Sequence, residues 1–164
     1  DGAGPLGTYS AEEERAIIQY SGALLRNPDA LTATFAHELA HYLLAGRGDP
    51  PGGSDLIEHA TDCTAAYLGC GVFLANSARH FEQFTDGEWA GWRSSASGYL
   101  FEQALVCATA LAAALNGHDT HAIEAQLKPY LRSDFRKACK AIAQSHPSLE
   151  ETLAGIDLLA WNYE

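Results

Sequence analysis

The feature that most constrains the fold of this chain is the pattern His-Glu-x-x-His at residues 37–41. In a helix, side chains four positions apart lie on the same face, so His37 and His41 can present two imidazole nitrogens to one metal ion. The flanking residues are apolar on several sides of such a helix: Ala36, Leu39, Ala40, Leu43 and Leu44. Because burying two histidines and a glutamate is costly unless they are paired, the pattern predicts a metal site on a packed helix.

The residue types of the pattern match the chemistry of a hydrolytic zinc site. Zinc binds neutral imidazole and carboxylate ligands, and a catalytic site keeps one position for a water molecule whose pKa falls to about 7. Glu38 would lie beside that water, where a carboxylate can take its proton and pass it to a leaving amine. The structural alternative is two core histidines satisfied by hydrogen bonds, with Glu38 exposed.

Two histidines alone hold zinc poorly, so we expect a third protein ligand from another element. Glu58 lies 17 residues after His41, which is enough for a loop and a return alongside the first helix. Asp62 is one turn beyond Glu58 on the same face. We predict Glu58 as the ligand and Asp62 as the group that orients a ligating histidine, with the reverse assignment and His59 as alternatives. In the structural alternative, both carboxylates are ordinary acidic residues near the start of a helix and bind no metal.

The length and composition indicate one globular domain over residues 1–164, with a metal-site core at 28–76 and a helical part at 99–161. Ten Lys and Arg against 21 Asp and Glu give a net charge of −11, which disfavours nucleic acid and anionic membrane surfaces as partners. No run of about 18 apolar residues could span a bilayer. We therefore expect neither nucleic acid nor a membrane as a partner, and the oligomeric state stays open.

The start of the chain and its cysteines bear on the cellular compartment. Residues 1–7 have neither the basic region nor the apolar run of a signal peptide, although a chain that begins with Asp leaves a removed leader or a neighbouring domain open. Four cysteines lack the close C-x-x-C pairing of a zinc or redox site and lie in apolar helical contexts: Cys63, Cys70, Cys107 and Cys139. We expect buried free thiols in a reducing, cytoplasmic compartment.

Local signals predict a mainly α fold, α+β at most, with a small or absent edge sheet. Residues 1–9 form a glycine-rich lead, and the capping pattern Ser-Ala-Glu-Glu at 10–13 conflicts with the β-branched content of 15–20, where we predict a turn followed by an edge strand. Caps, prolines and terminal glycines predict helices at 28–45, 55–76, 99–115, 119–127, 129–144 and 147–161. Gly69 and Gly71 within the second helix indicate close packing, which we expect to be against the metal-binding helix.

The segment His37-Glu38-Leu39-Ala40-His41 followed by Glu58-x-x-x-Asp62 resembles the gluzincin branch of the zincin metallopeptidases. The compact size and the HELAH form are also similar to the small bacterial ImmA/IrrE-type metallopeptidase domains. The resemblance covers residues 28–76 and excludes the metzincin branch, because Leu44 stands where that branch has glycine. It implies a reduced zincin-like fold in which the downstream helix supplies a Glu ligand and a supporting Asp. It also implies an edge strand that aligns an extended substrate, and in this chain only residues 15–20 could supply that strand.

These observations favour a zinc-dependent endopeptidase in which His37, His41 and Glu58 hold Zn²⁺ and Glu38 activates water. The alternative is a non-catalytic binding or interaction module that keeps the scaffold and a structural metal, and hydrolysis of a non-peptide amide or ester is a third possibility. Catalysis also needs a group that stabilises the oxyanion, and spacing does not select among the candidates by residue type. These are Tyr99, Arg93, His80, His118 and His121, with the loop around Trp89 and Trp92 as a candidate wall of a substrate groove.

Overall fold

The computed structural model of the protein describes residues 7–12, 15–85 and 99–157. Its elements in chain order are two strands, β1 (Gly7–Glu12) and β2 (Arg15–Tyr20), followed by the helices α1 (Pro28–Leu44), α2 (Ile57–Ala65), α3 (Gly71–Thr85), α4 (Glu102–Leu115), α5 (Thr120–Gln126), α6 (Arg132–Ser145) and α7 (Leu149–Ala154). Short 3₁₀ turns occupy Gly22–Arg26 and Ser54–Leu56, and a π-helical turn, Ala66–Cys70, joins α2 to α3. The predicted mainly α fold with a small sheet is confirmed.

The two strands form an antiparallel hairpin in which Gly7 is opposite Tyr20. The strand predicted at 15–20 is confirmed, whereas residues 7–12 are a strand and not the glycine-rich lead and turn that we predicted. Pairing with the adjacent strand β2 satisfies backbone groups of β1, and this gain outweighs the weak capping signal. The Tyr20 ring packs edge-on against Phe35 of α1, with 5.3 Å between ring centroids, and so holds the hairpin on that helix.

The helix α1 begins and ends close to where its sequence signals predict. Oδ1 of Asn27 accepts the backbone N–H of Ala30 at 3.2 Å, and Pro28 occupies the first helical turn. Small residues line its buried face, and three of them are fully buried: Ala30, Ala33 and Ala40. Neighbouring elements can therefore approach closely, and α1 contacts the hairpin, α2 and α3.

The helix predicted over 55–76 is interrupted at Gly69. Its φ of 96° lies in the left-handed region that residues with a side chain rarely adopt, so the chain bends between α2 and α3 instead of continuing as one helix. At Gly71, a Cβ atom would collide with Oγ1 of Thr109 in α4. The close packing at Gly71 is therefore directed at α4, while α2 and α3, on either side of this bend, also pack against the metal-binding helix α1.

The C-terminal helices follow the predicted caps with small shifts. Oδ1 of Asp119 caps α5 by accepting the N–H of His121 at 2.9 Å. The helix α6 begins at Arg132 and not at Pro129, because residues 129–131 form a turn. The helix α7 ends at Ala154, where Gly155 follows, and the residues of the last predicted helix from 158 onwards lie outside the described part of the chain.

The hydrophobic core lies mainly between α1, α3, α4 and α6, and its largest fully enclosed side chain is Phe135. Among the described helices, which lie within residues 28–85 and 102–154, none is long and apolar enough to cross a membrane.

The four cysteines are free, as predicted, but they are not buried. Cys63 and Cys107 are exposed, and Cys70 and Cys139 are only partly covered. Thr61 and Ala65 fill the inward face of α2, so Cys63 falls on its outward face, whereas Cys70 and Cys139 pack against the edge of the hydrophobic core. The apolar sequence context alone did not distinguish these two faces.

Candidate metal centre

Two helices bring the predicted ligands together. The helix α1 carries His37 and His41 one turn apart, and α2 carries Glu58 in its first turn. The glycine-rich loop over 46–54 returns the chain, so that α2 packs along α1 and Glu58 faces the two histidines.

The three candidate ligand atoms form a nearly equilateral triangle. The distances are 3.0 Å between Nε2 of His37 and Nε2 of His41, 3.0 Å from His37 Nε2 to Oε2 of Glu58, and 3.3 Å from His41 Nε2 to the same oxygen. Atoms that bind a tetrahedral zinc ion at about 2.0–2.1 Å lie roughly 3.3 Å from one another, so one ion fits above this triangle. Within the described residues, this is the one group of His, Cys, Asp and Glu side chains arranged to hold a metal ion.

The other ring nitrogens of both histidines have partners that direct Nε2 towards the triangle. Oδ1 of Asp62 lies 2.9 Å from Nδ1 of His37. Oγ1 of Thr61 lies 3.3 Å from Nδ1 of His41, and the Thr61 hydroxyl donates its own proton to the carbonyl of Ile57 at 2.8 Å. The Thr61 oxygen is therefore an acceptor for an Nδ1–H, and because Nδ1 of each histidine is engaged in this way, Nε2 is the nitrogen that each ring can offer to a metal ion.

Glu58 and Asp62 occupy different places although they share one face of α2. Glu58 lies in the triangle of ligand atoms, whereas Asp62 lies behind His37 and is 3% exposed. Oδ2 of Asp62 also accepts the backbone N–H of Leu100 at 2.9 Å, which ties the segment before α4 to the site. His59, the other candidate ligand, is partly buried on α2 and is not a member of the group.

Sequence reasoning did not single out Thr61 or Leu100. Thr61 is fully buried, and its only sequence signal is its position between Glu58 and Asp62 on a helix predicted to face the metal. Leu100 takes part through its backbone N–H, 38 residues from Asp62, and a backbone donor has no side-chain signature that a sequence could reveal.

Glu38 lies beside His37 on α1 and is 6% exposed. A Cβ atom on Gly7 of β1 would lie 3.0 Å from its Oε1 atom, so the start of the hairpin borders the Glu38 carboxylate. The backbone that approaches the Glu38 carboxylate here belongs to β1, a strand that the sequence did not predict.

Tyr99 is the oxyanion candidate that the structure brings to the cluster. Its ring centroid lies 4.9 Å from that of His37. Burial raises the pKa of Tyr99 to about 12, and the negative charges of Glu58, Glu38 and Asp62 act in the same direction. The phenol is therefore a neutral hydrogen-bond donor over the whole range in which proteins are stable.

The remaining oxyanion candidates are not part of the cluster or cannot be placed. His118 lies before α5 and His121 in the first turn of that helix, where Asp119 serves as the cap that the sequence predicted. Arg93, Trp89 and Trp92 lie outside the described residues, and for His80 the structure gives only its position in the backbone of α3.

The charges of the cluster influence one another strongly. Burial lowers the pKa of His37, but hydrogen bonds with Asp62 and Glu58, together with the charges of both carboxylates, more than offset it and raise that pKa to about 9. The hydrogen bond with His37 lowers the pKa of Glu58, against the opposing effect of burial. At neutral pH the metal-free protein therefore holds a proton between these groups, and an incoming metal ion has to displace it.

Comparison of the chain with protein-family models, with curated proteins and with solved structures finds no match. The resemblance to zincins therefore stays a prediction that depends on the motif, and what the structure adds to it is a His37, His41 and Glu58 cluster that could hold a metal ion.

Proposed function

We propose that the chain is a zinc-dependent endopeptidase that hydrolyses peptide bonds of a protein or peptide substrate. The observation that carries this proposal is the convergence of His37 Nε2, His41 Nε2 and Glu58 Oε2 within 3.3 Å of one another. The Glu38 carboxylate lies on α1, the helix that carries the two histidines. The family resemblance of the motif points in the same direction, and it supplies the choice of peptide bonds as the substrate.

The donor set fits zinc. Two neutral imidazoles and one carboxylate are a common ligand set of catalytic zinc sites, and the fourth position then remains for water. When bound, the ion would act as a Lewis acid that lowers the pKa of a water molecule and polarises a carbonyl group. Imidazole and carboxylate groups also accept other divalent ions, so zinc is part of the proposal and is tested with it.

Glu38 is the residue to which we assign the proton transfers. It follows the candidate ligand His37 directly, and its burial, with the backbone of Gly7 on one side, keeps bulk water from competing for the carboxylate. In the proposed reaction Glu38 accepts a proton from the attacking water molecule and delivers it to the nitrogen of the leaving amine. No net proton is consumed in this exchange.

Tyr99 and Asp62 have supporting roles. The neutral phenol of Tyr99 can donate a hydrogen bond to the oxygen on which negative charge develops as the carbonyl is attacked. Asp62 holds the Nδ1–H of His37 and so keeps the imidazole in the orientation that the ligand atoms require.

The hairpin supports an extended peptide as the substrate. Within the described residues the sheet has only β1 and β2, so each strand has one edge without a partner strand. A peptide in extended conformation can add to such an edge through backbone hydrogen bonds, independent of most of its side chains. Because β1 borders Glu38, a peptide beside this strand would pass close to the proposed base.

The test combines metal content with hydrolysis. Elemental analysis of the purified wild type should find one equivalent of zinc, and His37→Ala and Glu58→Ala should lose it, whereas His146→Ala, at an exposed position after α6, should keep it. Glu38→Gln should keep zinc but lose hydrolysis of a mixture of fluorescence-quenched peptides by at least about 100-fold. Glu150→Gln, an exposed change of the same type on α7, is the matched control.

The outcomes separate the proposed enzyme from its alternatives. One equivalent of zinc without cleavage of any peptide, together with unfolding when the metal is removed, would favour a binding module with a structural metal. Equal hydrolysis by wild type and Glu38→Gln would remove Glu38 from its proposed role. Retention of zinc in Glu58→Ala would assign the third ligand to another residue.

A further inference from the structure

The carboxylate of Glu38 is covered on one side by the backbone of β1. A Cβ atom built on Gly7 would lie 3.0 Å from Oε1 and 3.4 Å from Cγ of Glu38. The first of these distances is shorter than an ordinary van der Waals contact of a Cβ atom, so any side chain at position 7 would press on the Glu38 carboxylate.

Thr34, one turn before Glu38, forms the second half of this contact. A Cβ atom on Gly7 would collide with Cγ2 of Thr34. That methyl group is held in place, because the Thr34 hydroxyl donates a 2.9 Å hydrogen bond to the carbonyl of Ala30 and the residue is 5% exposed. Thr34 and Glu38 therefore form a ridge on α1 that only a residue without a side chain can approach so closely.

Conformational freedom is not what requires glycine at this position. Gly7 lies in a strand and is not one of the glycines with positive φ, so its backbone conformation is open to other residues. The requirement is space, and the three atoms nearest to a Cβ on Gly7 all belong to Thr34 and Glu38.

We propose that Gly7 is a positioning residue for the base Glu38, because its bare backbone lets β1 lie against the carboxylate and fix its orientation beside the metal centre. This inference rests on the proposed function. The ligand atoms of His37, His41 and Glu58 are held from α1 and α2, so a side chain at position 7 should disturb the base and leave metal binding intact.

The test uses a set of single and double variants. Gly7→Ala adds the methyl group that meets the ridge, and Thr34→Ser removes the Cγ2 atom while keeping the hydroxyl. The double variant Gly7→Ala with Thr34→Ser therefore relieves the collision with Thr34 but keeps the contact with Glu38. Gly22→Ala is the matched control, because Gly22 has no positive φ and nothing lies within 4 Å of a Cβ atom there.

Three readouts are taken on every variant: the thermal midpoint of the metal-free protein, zinc affinity by competition with a chromophoric chelator, and kcat on quenched peptides. The affinity of the zinc-loaded protein for acetohydroxamate adds a readout that needs no turnover, because this ligand gives up a proton to a neighbouring base as it chelates zinc. Glu38→Gln gives the reference value for a site without the base.

We expect Gly7→Ala to keep zinc affinity within about threefold of wild type and to lower both kcat and acetohydroxamate affinity at least about tenfold. The double variant should regain the thermal midpoint of Thr34→Ser but not kcat.

Recovery of kcat together with the midpoint would overturn the inference, since Gly7 would then serve only the packing against Thr34. Wild-type acetohydroxamate affinity in Gly7→Ala would overturn it as well. If the wild type binds zinc and acetohydroxamate but cleaves no peptide, the proposed function fails, and the acetohydroxamate series still decides the role of Gly7.

Discussion

Asp62 and His37 are joined by a 2.9 Å hydrogen bond between Oδ1 and Nδ1, and both side chains are nearly fully buried. The second oxygen of the same carboxylate accepts the N–H of Leu100. One carboxyl side chain on α2 therefore contacts both a candidate ligand on α1 and the backbone beside Tyr99, and each of these hydrogen bonds can be removed by a single substitution.

Replacing Asp62 by asparagine should weaken zinc binding. An asparagine amide has only one oxygen, so it can accept either the Nδ1–H of His37 or the N–H of Leu100, while its NH₂ group opposes the other donor. We expect zinc affinity to fall about 10- to 100-fold, as is typical when the outer partner of a ligating histidine is lost. Competition with a chelator measures this, and Asp134→Asn, at an exposed ion pair with Lys137, is the control that should change nothing.

Thr61→Val should remove the hydrogen bond that orients the His41 ring and so lower zinc affinity. Valine has nearly the shape of threonine but cannot accept the Nδ1–H of His41, which leaves a donor with no partner in a largely buried place. We expect a loss of zinc affinity of about tenfold. Thr64→Val is matched on the same helix, because the Thr64 hydroxyl bonds only the carbonyl of Ala60 among its described contacts. Equal affinities in the two variants would contradict the role given to Thr61.

The stability of the metal-free protein should fall as pH rises from 6.5 to 9. His37 has its pKa raised from 6.5 to about 9 in the folded protein, so its protonated form stabilises the fold. This stabilisation is fully present below 6.5 and is lost as pH rises through 9, and a shift of this size corresponds to roughly 3 kcal/mol. Urea unfolding with excess chelator measures the effect, and His37→Gln should flatten the curve over this interval.

Zinc should reverse this pH dependence. Metal binding has to displace the proton on His37, so the apparent zinc affinity should rise with pH until the pKa near 9 is passed. Isothermal titration in two buffers with different ionisation heats measures the protons released for each zinc ion bound. Release of no proton at pH 7 would contradict the charge state assigned to the metal-free cluster.

Tyr99→Phe should lower kcat without loss of zinc. The ring would stay against His37, while the hydroxyl that we assign to the developing oxyanion would be absent. We expect kcat to fall about 100-fold, which is the usual effect of removing one such donor. Tyr67→Phe removes a hydroxyl from an exposed tyrosine between α2 and α3 and should leave kcat unchanged.

Local patterns predicted those parts of the molecule that depend on neighbours in sequence. The spacing of His37 and His41, the Asn27 cap and the strand at 15–20 all follow from contacts within a few residues. The positions of Glu58 and Asp62 beside the histidines could be predicted because the loop before α2 is short and leaves few ways for the chain to return along α1. In each case a periodicity or a cap carries the information.

The features that were missed depend on contacts between distant segments. Gly7 meets Glu38 only after the hairpin has folded onto α1. The N–H of Leu100 reaches Asp62 across 38 residues. The bend at Gly69 was missed because a glycine inside a helical pattern is compatible both with close packing and with a left-handed residue, and only the tertiary structure separates the two.

The placement of all three candidate ligands on α1 and α2 also bears on the order in which the protein folds. Only 21 residues separate His37 from Glu58, so closing this loop costs about 1 kcal/mol less than forming a contact that spans half the chain. We expect the metal-binding segment to be able to form while α4 to α6 are still unfolded, and contacts of low sequence separation generally form fast. During synthesis, zinc could then be captured before the last third of the chain has left the ribosome.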